Sequence, residues 1–226
     1  MSKKLLPLLL ILITAVVLFL ASGRLVIYLF SNAYGLDVSY KNMKILSFNE
    51  LSFTDLKVID RRTGLGIFSR ESLINPVLEK RIAIDFKFKA VSFIKNETAS
   101  EGNFDSLAAI VSMPFASRWT YKEISGKVTP SKEGMHIEKL TATSDDMRLK
   151  LSGDIFRDNT IKADIVIYFS ESLAKNMPKE LSGVILNAES DSWKSLSVKL
   201  AGNYKEPSIQ IYSKLFRLNI NELKTS

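Results

Sequence analysis

The chain has 226 residues, 46% of them hydrophobic, a net charge of +7, no cysteine and one histidine. That size and apolar content suit one folded domain with its own core and exclude wholesale disorder. A disulfide, a thiol nucleophile and a Cys-based zinc site are ruled out, and the lysines stand mostly singly, unlike the clustered, aromatic-interleaved cations of a nucleic-acid footprint.

The first element is apolar. Lys3 and Lys4 precede residues 5–23, which carry no charge, about the length needed to cross a hydrocarbon core of ~30 Å. The lysine pair predicts a single-pass segment with its N-terminus in the cytoplasm and everything beyond Arg24 on the far side. Arg24 can reach the headgroups from the helix end, and Tyr28 suits the interfacial aromatic belt. Ala21-Ser22-Gly23 would also suit a signal peptidase, but the apolar run is long for a signal and resumes directly after these residues. The expectation is a retained anchor over 1–30 followed by an exported β domain over 31–226. No cysteine follows the run, so a lipoprotein is excluded.

After residue 35 the signal is alternation. Leu36, Val38 and Tyr40 form a short run, and Leu51 and Phe53 begin another. Asp55 then interrupts, and Leu56 and Val58 resume on the opposite parity, which predicts a bulge or bend. Residues 61–66 read as a turn. A long strand follows, with Ile82, Ile84, Phe86 and Phe88 on one face and Arg81, Asp85, Lys87 and Lys89 on the other. Further strands are predicted over 121–129, 135–142, 147–155, 161–169, 183–188, 196–201 and 208–212. In 147–169 the alternating set is Met147, Leu149, Leu151 and Ile155, then Ile161, Ala163, Ile165, Ile167 and Phe169, split by the turn-forming Arg157-Asp158-Asn159-Thr160. Short links such as 130–134 imply antiparallel neighbours.

Two segments break the alternation. Residues 103–113 predict a short helix capped by Asn103 or Asp105 and ended by Pro114, and 170–176 predict about two turns starting at Ser170 and stopped by Pro178. The fold class is therefore mainly β: an N-terminal transmembrane helix, then roughly ten strands in an antiparallel, curved sheet (a groove or a half-open barrel or sandwich) with two short helices. Nothing alternates β with α, so a doubly wound parallel sheet is excluded.

Candidate chemistry is sparse. His136, in Gly-Met-His-Ile-Glu, is expected to be a structural or surface histidine. Asp145-Asp146 and the pair Glu189/Asp191 lie in Ser- and Asp-rich stretches and read as solvated turns, not metal or acid–base sites. Gly64-Leu65-Gly66 lacks the third glycine and the helix of a phosphate cradle. Asn96-Glu97-Thr98 fits a sequon, and Trp119 and Trp193 could serve core or rim. No catalytic residue, metal ligand or cofactor site is predicted, and the expected class is a non-enzyme.

From Tyr121 to Ile211 the chain resembles the C-terminal part of the AsmA-like family, the AsmA/TamB/YhdP type. The resemblance is carried by Gly126, by Gly134, by Leu151-Ser152-Gly153-Asp154-Ile155, by Leu200-Ala201-Gly202, and by the closing Gly202, Pro207 and Ile209. An anchor followed by "GLDVSYKNMKILSFNELSFTDLKVID" is also similar to the family's N-terminal pattern. The resemblance implies a bacterial inner-membrane protein with a periplasmic β-groove, serving lipid transport or envelope biogenesis. Its implied partners are membrane lipids and other envelope proteins. The family's large members are several times longer; about ten strands at ~4.8 Å make a sheet only about 45–50 Å wide.

A sheet with one apolar face covers it with its own fold, a partner or a lipid. A groove holding acyl chains would place Ile82, Ile84, Phe86, Phe88, Leu149, Leu151, Ile165, Ile167 and Phe169 against them. A 16-carbon chain leaving a bilayer for water forfeits ~0.8 kcal/mol per methylene, roughly 13 kcal/mol in all, which a continuous apolar path would offset. The alternative is a closed β interaction module scaffolding an envelope complex.

Overall fold

The computed structural model describes residues 27, 28, 31, 32, 35–47, 49–61, 64–78, 82–94, 107–117, 119–203, 208–213 and 217–220. The strands are β1 (Leu36–Ser39), β2 (Asn42–Ser47), β3 (Glu50–Asp60), β4 (Gly66–Leu78), β5 (Ile82–Ile94), β6 (Thr120–Pro130) and β7 (Gly134–Thr143). They continue with β8 (Met147–Phe156), β9 (Thr160–Phe169), β10 (Asn187–Ala188), β11 (Lys194–Asn203), β12 (Ser208–Tyr212) and β13 (Arg217–Ile220). The helices are α1 (Leu107–Ser112), α2 (Glu171–Lys175) and α3 (Lys179–Ile185).

All thirteen strands belong to one sheet, in the order β1-β3-β4-β5-β6-β7-β8-β9-β11-β12-β13, with β2 beside β3 and β10 beside β11. Every ladder is antiparallel. Among the described residues no ladder joins β1 to β13, so the sheet does not close. Neighbours in sequence are neighbours in space because the turns are tight. Between β8 and β9 the Asp158 carboxylate accepts from Thr160 N at 2.9 Å and from Thr160 Oγ1 at 2.7 Å, and Asn159 takes φ 69°. Between β6 and β7, Ser131 Oγ accepts from Gly134 N at 3.1 Å.

A transverse crease runs over β3 to β6. Asp55 (φ 54°) and Ala90 (φ 49°) each take a left-handed conformation inside a strand, yet the registers on either side are unbroken. Thr54 pairs Glu71 and Leu56 pairs Ser69, while Ser69 pairs Val91 and Glu71 pairs Lys89. Side-chain parity inverts at this line, so Phe53 and Leu56, Ser69 and Ser72, and Tyr121 and Ile124 are buried in pairs three residues apart. The flip predicted at Asp55 is thus one member of a line that crosses four strands and keeps Phe53 and Leu56, and Tyr121 and Ile124, buried on either side of it.

The three helices all leave the sheet at one end, where β6 and β11 begin and β9 finishes. Ile110, Val111, Leu173, Ala174 and Ile185 of these helices join Met147, Ile167, Phe169 and Leu196 of the sheet in one core cluster. Ser170 caps α2 by accepting from Leu173 N at 3.2 Å, and its hydroxyl donates to Asp146 at 3.1 Å, tying the helix to the β7–β8 turn. Tyr121 Oη donates to the Pro114 carbonyl at 2.7 Å, fixing the 3-10 turn after α1 to β6. Among the described residues, the opposite end of the sheet carries the β6–β7 and β8–β9 turns.

Several expectations need correction. Residues 183–188 were expected as a strand but are mostly helical: α3 takes Lys179–Ile185 and only Asn187–Ala188 pair. A short apolar run fits either state by periodicity, and Pro178 at the N-cap starts a helix here. Among the described residues strands β2, β4 and β13 are additional to those predicted, which raises the count from roughly ten to thirteen, and three short helices follow β5 instead of two. β4 escaped notice because the crease places polar Ser69, Arg70, Glu71 and Ser72 at its centre. Its Pro76 is tolerated because the β3 ladder ends at Ile74. The predicted anchor over 1–30 falls almost wholly outside the described residues, as do Arg81, Asn96 and the Asn103 and Asp105 caps. Among the described residues no helix is long and apolar enough to cross a membrane.

Candidate functional site

The registers assemble the predicted apolar residues into rows that cross the sheet. One row reads Phe53, Ser72, Phe88, Ile124, Ala142, Leu149, Ile167 and Leu196. The next reads Leu51, Ile74, Phe86, Gly126, Leu140, Leu151, Ile165, Val198 and Ile211. A third, nearer the hairpin end, contains Ile84, Val128, Ile137, Gly153, Ala163, Leu200 and Ile209. Seven of the nine predicted contact residues stand in these rows, and Ile82 and Phe169, two residues beyond Ile84 and Ile167 on their strands, complete the set on one face of one sheet.

They do not share one environment. Ile167 and Phe169 are 0% exposed and Ile165 is 2% exposed, lying with Leu149 in the core cluster that the helices complete. Ile84, Phe86, Phe88 and Leu151 are half-buried. Ile82, at the hairpin end, is 58% exposed, and Ile155, at the same end on β8, is 41% exposed. Exposure is greatest at the hairpin rim, although Ile137, Ala163 and Ile209 of the third row are buried. Phe86 and Phe88 lie 5.0 Å apart by ring centroid and form the aromatic centre of the half-buried part. Among the side chains named in these rows none is Asp, Glu, His, Lys or Arg, and Ser72 is the one polar member.

The residues set aside as non-catalytic have ordinary partners. His136 Nδ1 lies 2.7 Å from Asp154 Oδ1 on the polar face, beside a cleft of about 890 Å³ also lined by Thr129, Glu138, Phe156 and Arg157. Asp145 pairs with Lys122, and Glu189 accepts from Ser195 Oγ at 2.6 Å. Among the described residues no group of three His, Asp or Glu side chains could hold a metal ion. Burial pushes the Tyr121 hydroxyl well above its usual pKa.

One arrangement has no counterpart in the sequence reading. On the polar face Arg148 Cζ sits 4.1 Å over the Trp193 ring, and Lys150 Nζ sits 5.1 Å over Tyr168. The partners lie on different strands or in a loop far along the chain, so no local spacing could reveal them.

No family model matches the chain, and neither a curated relative nor a solved structure is found for it. The AsmA-like resemblance therefore rests on the glycine and proline positions quoted above.

Proposed function

We propose that the protein is an inner-membrane-anchored β-groove protein that binds or passes phospholipid-like molecules outside the cytoplasm, as an envelope-biogenesis component. One observation carries the reading: an apolar face spans an unclosed sheet and is sealed by helices at one end, while Ile84, Phe86, Phe88 and Leu151 stay half-buried and Ile82 and Ile155 at the hairpin rim are exposed. Leaving Ile82, Ile84, Phe86, Phe88 and Leu151 in water is costly at ~25 cal/mol per Å² of apolar area, and an acyl chain laid over them recovers that cost. In this reading the ligand contacts are those five residues. Leu149, Ile165, Ile167 and Phe169 form the dry foundation beneath α1 to α3 and keep the sheet rigid without touching lipid. The uncharged N-terminal segment and the AsmA-like glycine positions support the same reading.

A closed interaction module is the second reading, favoured by the complete burial of Ile167 and Phe169. Native mass spectrometry of the full chain, extracted in mild detergent, separates the two. Co-purifying phospholipid, lost on Phe86→Glu in a variant that still melts cooperatively, is expected. A chain free of lipid under extraction conditions that preserve lipid on a control membrane protein would overturn the groove.

A further inference from the structure

The polar face changes character between β7 and β8. On β5 and β6 four lysines are tied to carboxylates: Lys87 to Glu123 at 2.8 Å, Lys89 to Glu71 at 3.1 Å, Lys127 to Glu138 at 3.7 Å, and Lys122 to Asp145. On β8 that pattern stops. Arg148 and Lys150 are both exposed and rest on aromatic rings instead. Lys199 repeats the arrangement 5.5 Å over Tyr212, though it also shares Asp164 at 3.5 Å. The other carboxylates nearby are engaged: Asp154 with His136 and Glu189 with Ser195. Among the described residues Asp191, in the turn before Trp193, is the one nearby carboxylate without such a partner.

A ring beneath a cation holds it in place without neutralising it. The guanidinium edge of Arg148 stays free to donate two hydrogen bonds to a phosphate, with less side-chain freedom left to lose on binding. Trp and Tyr among exposed cations is also the composition of surfaces that meet lipid headgroups, where an amphipathic ring is at home and each cation adds attraction to anionic lipid. The cleft lies beside the hairpins at the other end of β8, so this patch is a surface and not a pocket for a small anion. Single-stranded nucleic acid needs open ring faces for its bases to stack on, and here cations occupy them.

We infer that the polar face around Arg148, Lys150, Trp193, Tyr168 and Tyr212 docks on the surface of an anionic lipid bilayer. This surface is distinct from the apolar face, and its docking stands or falls whether or not that face carries a lipid.

The test uses the full chain with Trp119→Phe, so that Trp193 is the only tryptophan, reconstituted in nanodiscs of phosphatidylcholine. These are mixed with liposomes of phosphatidylglycerol brominated in the acyl chains, with matching phosphatidylcholine liposomes, or with a single-stranded oligonucleotide. Capture of the phosphatidylglycerol liposomes with quenching of Trp193 emission is expected. Capture should collapse as salt rises from about 0.1 M to about 1 M, where the screening length falls from ~10 Å to ~3 Å. Removing each cation should weaken capture about fivefold, so Arg148→Gln with Lys150→Gln should weaken it by more than about tenfold. Lys57→Glu, a charge change of equal size on a distant strand, should alter it by less than about twofold. Equal capture of both liposome types, a double variant that binds like the parent, or tighter binding of the oligonucleotide than of the liposomes would each overturn the inference.

Discussion

Gly126 and Phe86 face each other across the β5–β6 ladder, and the phenyl ring of Phe86 occupies the space where a side chain at 126 would stand. A Cβ there would come within 2.9 Å of Phe86 Cζ and within 2.6 Å of the Lys139 carbonyl oxygen. The glycine thus leaves a gap in an otherwise apolar row, and Phe86 leans into it. Gly126→Ala is expected to destabilise the fold by about 1–3 kcal/mol, the usual cost of overpacking. Because the Lys139 backbone is the nearer obstacle, adding Phe86→Leu should not restore stability. Denaturant unfolding of both variants decides this; full rescue by Phe86→Leu would show that the ring alone sets the constraint.

Ala90 holds a left-handed backbone in the middle of β5, at the crease. Such a conformation costs an alanine roughly 1–2 kcal/mol, whereas glycine adopts it freely but loses more chain entropy on folding. Ala90→Gly should therefore change stability by less than about 1 kcal/mol. Ala90→Val, a β-branched residue forced to positive φ, should lose about 2 kcal/mol or more. Equal behaviour of the two would mean that the strand can straighten, and that the crease is not enforced.

Charge placed on the apolar face should have opposite consequences at its two ends. Ile167→Glu buries a carboxylate at a position with no solvent access, and is expected to abolish cooperative unfolding. Ile82→Glu, at a position 58% exposed, should shift stability by less than about 1 kcal/mol while reducing co-purified lipid. Thermal melts and native mass spectrometry on the same samples make the comparison. Loss of fold in Ile82→Glu would show that the rim belongs to a sealed core.

Tyr121 links stability to high pH. Burial raises its pKa in the folded state above the ordinary value of 10.0, so below that value both states carry the proton and the fold is undisturbed. As pH climbs past 10.0 the unfolded chain ionises and the folded one does not, and stability falls. Tyr121→Phe should flatten this alkaline decline. At neutral pH it should cost about 1–3 kcal/mol by leaving the buried Pro114 carbonyl without its donor. Chemical denaturation at about pH 7 and about pH 11 gives both numbers; an unchanged alkaline slope would refute the linkage.

The alternation of Met147 to Phe169 was enough to place β8, the turn at Asp158 and Asn159, and β9 almost to the residue. Period-two patterning and turn chemistry act over a few neighbouring residues, and a single strand contains all of that information. The same locality explains the failures. β4 was illegible because the crease that breaks its alternation is shared with Asp55 and Ala90 on neighbouring strands. Residues 183–188 were misread because helix and strand place so short an apolar run equally well.

What the residues determined alone was a set of antiparallel strands with one greasy face and the identity of the side chains on that face. Tertiary structure decided which of those side chains are sealed and which meet solvent. Three helices, each short and remote in sequence from most of the strands they cover, all fall at the same end of the sheet, so Ile167 is dry while Ile82 is wet. It also brought Arg148 to Trp193 and Lys150 to Tyr168. Cover and cross-strand pairing depend on which distant segments come to lie over one another, and the period of a strand carries no record of that.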